Sequence, residues 1–341
     1  MQATAEGAER YVGRFPELRD TGFYRAVCDL EVSSLGIGTY LGALDDAADH
    51  AYIAALLAAA ENGINFFDTA INYRHQRSER AIGKALRELS RDEIVVCTKA
   101  GYLTPGAVPA SLRPEDVLQD MHSMAPDFLA DQIERSRANL GVDTIDVFYL
   151  HSPETQLGAR TREEFEAAIR FAFAELERQV ERGRICWYGA ATWNGFRMKG
   201  ALSLPRLAAL AIEEGGPEHH FRFIQLPFNM GMVEAYTARP DNVLTAAASL
   251  GIAVVASATL AQTRVLRDMP ANVAVQIPGL ATSAQRAIQF TRSTPGISVA
   301  LVGMGRPEHV MENLGVAKVR PLDRESYERL FSTRPLPANR R

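Results

Sequence analysis

The chain has 341 residues, 47% hydrophobic and 23% charged, which is ample material for a large buried core. Its formal net charge of −4 comes without a basic block, which argues against a nucleic-acid or membrane-surface partner. Cys28, Cys97 and Cys186 fit neither zinc-ligand spacing nor a disulfide framework, the polar start MQATAEGAER is unlike a secretory signal, and no apolar run approaches the ~20 residues that span a bilayer, so a reducing, cytoplasmic setting is expected.

In chain order, residues 20–32 read as a short hairpin. Eight short apolar runs follow as candidate core strands: 34–38, 64–67, 94–98, 145–150, 185–190, 223–227, 252–256 and 297–302. They are mostly continuous rather than alternating, the pattern of strands buried on both faces. Helical segments lie between them. Residues 47–62 are rich in alanine and leucine and stop at Gly63. Thr161 and Glu164 read as a capping box opening 162–182, where Phe165, Ala168, Ile169, Ala172 and Leu176 follow helical spacing. Pro307 suits the first position of a helix over 307–315.

Eight strands with helical crossovers permit a closed barrel or an open doubly wound sheet. Their number and length favour a (β/α)8 TIM barrel: a single domain over 1–341 with its core at about 33–316. The long connections 101–126 and 257–282 would then stand as loops on the C-terminal, active-site face. The tail 334–341 is expected to be loosely ordered.

Polar residues collect at the carboxyl ends of these strands: Asp68, Lys99, His151, Thr192 and Gln225, with Tyr73 five residues past Asp68. A barrel brings such positions to one mouth. A tyrosine with a pKa near 10 is a poor acid–base catalyst, and a nearby ammonium lowers that value. Lys99 supplies the ammonium, and Asp68 holds and balances it. His151 donates a hydrogen bond to a carbonyl oxygen, and Tyr73 delivers the proton as general acid. Alone, Asp68 reads as a helix cap and Tyr73 as a loop aromatic; the chemistry rests on the four together. No catalytic role is assigned to His122.

FFDTAINYRHQRSERAIGKAL resembles the aldo-keto reductase signature, VVCTKAG that family's lysine strand and IDVFYLHSPE its histidine strand. The resemblance implies a (β/α)8 fold, an extended nicotinamide cofactor and reversible carbonyl reduction. ICWYGAATWNGF falls where the family has a Ser-Asn pair that grips the carboxamide, here Ala191 and Thr192. Gln225 matches a carboxamide-binding glutamine. Ser257 stands where many members stack a tyrosine. Leu260 and Gln262 fall on the pyrophosphate path, and LVGMGRPEHVMENLG resembles the last cofactor motif. The cofactor set so implied is Gly38, Thr39, Thr192, Gln225, Ser257, Leu260, Gln262, Gly303, Arg306, His309, Glu312 and Asn313. Arg306 suits a 2′-phosphate and tips the reading to NADP; without a second arginine at 309, NAD stays open.

Tyr40, Tyr102, Trp193 and Phe228 are expected to shape the substrate pocket. The resulting expectation is an NAD(P)H-dependent reductase of a small-molecule aldehyde or ketone, such as a sugar or a secondary-metabolite ketone. The alternative is a cofactor-sensing regulatory subunit resembling potassium-channel β subunits, which share the barrel. A metal-dependent hydrolase needs more strand-end ligands than His151 and Asp68, and Lys99 would repel the cation, so no metal is expected.

Overall fold

The computed structural model describes residues 1–119, 121–238, 242–267, 269 and 273–332; the tail 334–341 lies outside them. Strands β1 (Tyr24–Val27) and β2 (Leu30–Ser33) form an antiparallel hairpin. Eight parallel strands follow: β3 (Leu35–Gly38), β4 (Phe66–Asp68), β5 (Val95–Ala100), β6 (Ile145–His151), β7 (Ile185–Ala191), β8 (Phe221–Pro227), β9 (Ala253–Ser257) and β10 (Val299–Gly303). They close in the order β10-β3-β4-β5-β6-β7-β8-β9, a (β/α)8 barrel.

Each strand side chain points alternately to the barrel axis and to the helices. Phe66, Val95, Cys97, Val147, Tyr149, Phe223, Val255, Val299 and Leu301 form the interior cluster, while Phe67, Val96, Phe148, Leu150, Ile224 and Val254 belong to the larger core under the helices. Both environments are apolar, which is why the runs read as continuous. Ala3, Ala8, Val27, Leu30 and Val32 join the interior cluster, so the amino-terminal segment and the hairpin plug one end of the barrel. Chemistry is left to the other end.

The helices begin and end where their local sequence dictates. Asp45 caps Asp46–Glu61 by accepting from the Ala48 amide at 2.8 Å, and Gly63 takes the chain out at φ +97°. Thr161 and Glu164 make both bonds of a capping box before Arg162–Glu181. Arg306 stands at the N-cap of Pro307–Asn313. Among the described residues no helix is long and apolar enough to cross a membrane.

Candidate active site

The alternation that lines the interior also sets the site. Counting two residues on from Phe66, Cys97, Tyr149, Phe223, Val255 and Leu301 gives Asp68, Lys99, His151, Gln225, Ser257 and Gly303, so the inward columns of these six strands reach the mouth on these residues. Register aligns them: Gly38 pairs with Asp68, Lys99 with Tyr149, His151 with Ala191, Ala191 with Gln225, and Gly303 with Gly38. Asp68, Lys99 and His151 are themselves ladder residues, where the sequence placed them just past the strands. A parallel ladder continues as long as backbone partners remain, whatever the side chain.

Lys99 is fully buried, and its Nζ donates to Asp68 Oδ1 and to the Thr69 carbonyl, both at 2.6 Å. Asp68 Oδ2 accepts from Gln225 Nε2 at 2.8 Å. Burial opposes the Lys99 charge, but Asp68 and Tyr73 overcome it and hold the ammonium above its ordinary pKa. Burial likewise pushes the Asp68 carboxyl up, against Lys99 and Gln225. The Lys99 ammonium lies 4.9 Å from the centroid of the Tyr73 ring. It draws the Tyr73 phenol down as expected from sequence, yet burial outweighs it and the net shift is upward. Tyr73 is therefore held as the acid at neutral pH.

The His151 ring centroid is 5.9 Å from that of Tyr73 and 5.0 Å from that of Tyr102. Burial, then Lys99 and His122, push the imidazole well below its ordinary pKa, so the ring is neutral at pH 7. Its Nδ1 is buried and has no hydrogen-bond partner among the described residues, and the same is true of Thr192 Oγ1 just past β7. Each such orphan is costly, and each lies where the strands converge.

Two supports of this set were not legible in the sequence. The first holds Tyr73. Arg74, His75 and Gln76 all have positive φ, at 49°, 50° and 71°, a left-handed run that costs about 1–3 kcal/mol per non-glycine residue. Arg74 is buried and donates to Asp49 Oδ1 at 2.6 Å and to the Ala43 carbonyl at 2.8 Å. Arg77 also meets Asp49, at 2.7 Å. Burial disfavours the Asp49 charge, but the two arginines hold its carboxyl below the ordinary range. The helix Asp46–Glu61 thus clamps the turn that carries Tyr73.

The second support holds His151. His122 is fully buried, and its Nε2 lies 2.7 Å from the His151 carbonyl, while Gln156 Nε2 meets its Nδ1 at 3.1 Å. A donor at Nδ1 makes Nε2 the protonated nitrogen, so His122 donates to His151 O. Arg160 Nε in turn donates to Gln156 Oε1 at 3.0 Å. The connection 101–126 is pinned at its base for this purpose. Tyr102 bridges His122, Ser123 N donates to Gly101 O at 2.8 Å and Leu103 N to Met121 O at 2.8 Å. Gly101 allows the approach, since a Cβ there would sit 2.5 Å from the His151 carbonyl and 2.7 Å from His122 Nε2. No spacing rule links positions 122, 151 and 156; only the folded loop joins them.

The residues expected to hold a cofactor fall into two groups. Gly38, Gln225, Ser257 and Gly303 end their strand columns at the mouth. Thr39 is instead fully buried and donates both its N–H and its hydroxyl to the Asp68 carbonyl, at 3.2 and 3.3 Å. Gln225 uses its amide N–H on Asp68. Along the rim, Leu260 is half-buried and Gln262 is exposed at φ 53°. Arg306, His309 and Glu312 are exposed at three-residue spacing on one short helix, and Asn313 is buried behind them. Among the described residues no group of three or more histidine, cysteine or acidic side chains is placed to hold a metal ion.

Of the expected pocket aromatics, Tyr40 and Trp193 are exposed, at 59% and 49%, and the Tyr40 ring lies 5.0 Å from that of Tyr73. Tyr102 and Trp193 line a cavity of about 770 Å³ that also touches Ser152. Phe228 does not belong with them. It is fully buried and stacked on Phe290 at 6.1 Å, because its position past β8 points it under the helices, so it packs and presents no face to a ligand.

A model of the aldo/keto reductase family matches residues 34–334. The chain is 35% identical over 177 residues to a D-threo-aldose 1-dehydrogenase of a Pseudomonas species, covering 46% of this chain and 49% of that protein. It is 24% identical over 319 residues to a probable voltage-gated potassium channel subunit beta of Arabidopsis thaliana, covering 86% and 90%. Among solved structures it resembles an aldo/keto reductase from Klebsiella pneumoniae in complex with NADP and acetate, with TM-score 0.65, 21% identity and coverage of 92% and 95%.

Proposed function

The chain belongs to the aldo-keto reductase family, and on that premise we propose that it reduces an aldehyde or ketone reversibly with NADP(H), Tyr73 being the proton donor. The carrying observation is the buried Lys99, bonded to Asp68 at 2.6 Å and 4.9 Å from the Tyr73 ring. A fully buried lysine needs a partner, and this one has its charge set against a phenol. The neutral His151 ring offers an N–H to a carbonyl oxygen, which polarises the carbon. Tyr73, kept protonated by burial, then protonates the same oxygen as negative charge develops on it. Lys99 stabilises the phenolate left behind, and Asp68 keeps the lysine charged and fixed.

The residues present fit a nicotinamide cofactor. The unpartnered Thr192 hydroxyl and Gln225 would meet the carboxamide, the bare end of β9 at Ser257 leaves room for a ring, and Arg306 would meet a 2′-phosphate. Leu260, Gln262, His309, Glu312 and Asn313 would follow the rest of the chain of the ligand. Bound there, the cofactor supplies the hydride. A relative named for aldose dehydrogenation supports sugar-like carbonyls, and the aromatic walls Tyr40, Tyr102 and Trp193 suit other apolar-faced carbonyls, such as ketones of secondary metabolism.

The test is Tyr73→Phe. Turnover of a carbonyl panel should fall by at least ~10²–10⁴, the usual worth of a positioned proton donor, while NADPH titration followed by fluorescence stays as in the wild type. Wild-type rates in that variant would remove Tyr73 from the role. Similarity to a channel β subunit over nearly the full chain favours a second reading, a cofactor-sensing regulatory subunit. Recovery of a stoichiometric partner, with cofactor binding but no turnover on the panel, would decide for it.

A further inference from the structure

The cavity beside His151 has a charge pattern that the hydride-transfer chemistry does not use. It is lined by Arg160, Arg162 and Lys199, with Glu154 the one carboxylate on its wall. None of the three cations forms an ion pair among the described residues. Glu154 is engaged through its Oε1, which accepts from the amides of Trp193, Asn194 and Gly195 at 2.8, 2.9 and 3.1 Å, while its Oε2 is buried without a hydrogen-bond partner among the described residues. Among the side chains that line the cavity, three cations therefore stand against one carboxylate.

The three cations differ in what they have left to give. Arg162 holds the loop, donating to the Ala201 carbonyl at 2.8 Å and to Gly200 O. Arg160 uses Nε on Gln156, which leaves its two terminal nitrogens without partners among the described residues. Lys199 rides the loop that Arg162 anchors, and its ammonium has no partner there either. A guanidinium fixed through Nε presents its outer nitrogens to a two-oxygen anion, and the exposed Lys199 on the same lining adds a second charge. The cavity adjoins the tetrad through Tyr102, whose ring is 5.0 Å from that of His151.

We infer that this cavity is a substrate subsite for an anionic group, a carboxylate or a phosphate, carried on the carbonyl compound beyond the reacting carbon. The inference rests on the hydride-transfer reading and narrows its substrate class. Arg160 and Lys199 are the ligands of the anion. Because Arg160 is also the outer end of the chain through Gln156 and His122 to the His151 carbonyl, filling the subsite orders the group that polarises the substrate.

Two matched pairs of aldehydes test this: 4-carboxybenzaldehyde against its neutral methyl ester, and glyceraldehyde 3-phosphate against glyceraldehyde. The wild type should prefer the charged member of at least one pair, and which pair tells carboxylate from phosphate. Lys199→Gln and Arg160→Gln should each lower the charged-to-neutral ratio of kcat/KM about tenfold, mostly through KM, and Arg160→Lys should restore part of it. Lys199 is exposed, so its variant folds regardless. Equal use of both members of both pairs, or ratios untouched by both variants, would overturn the subsite. Calorimetric titration of the NADP⁺-loaded protein with terephthalate, which cannot react, separates the two readings. Binding that depends on Arg160 and Lys199, with no turnover of any aldehyde, sinks the reductase reading alone. Reduction of neutral aldehydes without such binding or preference sinks the subsite alone.

Discussion

Replacing Asp49 with asparagine should damage catalysis from a helix that contributes nothing to the tetrad. Asp49 is the only carboxylate within ion-pair reach of Arg74 among the described residues, at 2.6 Å, and the Arg74 side chain is 2% exposed. Removing one partner of such a pair leaves a buried charge uncompensated, at a cost of about 3–5 kcal/mol. In a domain of this size roughly 2 °C of Tm accompanies each kcal/mol, so a fall of about 6–10 °C is expected. The turn at 74–76 stores ~1–3 kcal/mol per left-handed residue, a comparable sum, so losing the clamp lets it relax and carries Tyr73 with it. A displacement of ~1 Å at a reacting group costs about 10²-fold in rate. The assays are thermal unfolding and kcat on a carbonyl substrate, with Asp46→Asn as the control, since Asp46 is 88% exposed on its side chain and pairs with the partly exposed Arg77. Unchanged Tm and kcat in Asp49→Asn would refute the clamp. A lowered Tm with intact kcat would refute its link to Tyr73.

Burial holds the Tyr73 phenol up, so carbonyl reduction should stay level through neutral pH and fall as pH rises through the raised value. Oxidation of the alcohol, which needs the phenolate, should climb over the same range. His151 is pushed well below its ordinary value, so no step in kcat/KM is expected near pH 6.5; a step that vanishes in His151→Asn would contradict the neutral ring. Gly101→Ala places a Cβ 2.5 Å from the His151 carbonyl and must break its bond to His122. A loss of about 1–3 kcal/mol and a lower kcat are expected, measured by chemical denaturation and steady-state rates, and wild-type behaviour would remove His122 as a positioning group. Arg306→Gln should weaken NADPH about tenfold in fluorescence titrations and leave NADH nearly unchanged; equal effects on both would place the 2′-phosphate elsewhere.

The barrel strands and three residues at their ends were legible in the sequence from local periodicity, and Tyr73 only in company with those three. A strand buried on both faces must be apolar throughout, so a polar residue ending such a run marks itself: Asp68, Lys99 and His151 stand out at once. Local capping signals did the same for the helices at 46–61 and 162–181. What the sequence could not carry is any relation set by the meeting of distant segments. That Gln225 also donates an amide N–H to Asp68 could not be read from the sequence, since only closure of the barrel brings β8 across from β4. Thr39 is buried on the Asp68 carbonyl for the same reason, and Phe228 packs under the helices against Phe290. Nothing in the sequence singles out Arg74 or assigns a role to His122; they became a clamp and a prop because Asp49 and the His151 carbonyl arrive from other parts of the chain. The residue types that the proposed proton chemistry needs were thus set by the sequence, whereas the shift of the Tyr73 phenol, the tautomer of His122 and the charge of the neighbouring cavity were decided by tertiary contacts, because desolvation and hydrogen-bond partners exist only once those segments have met.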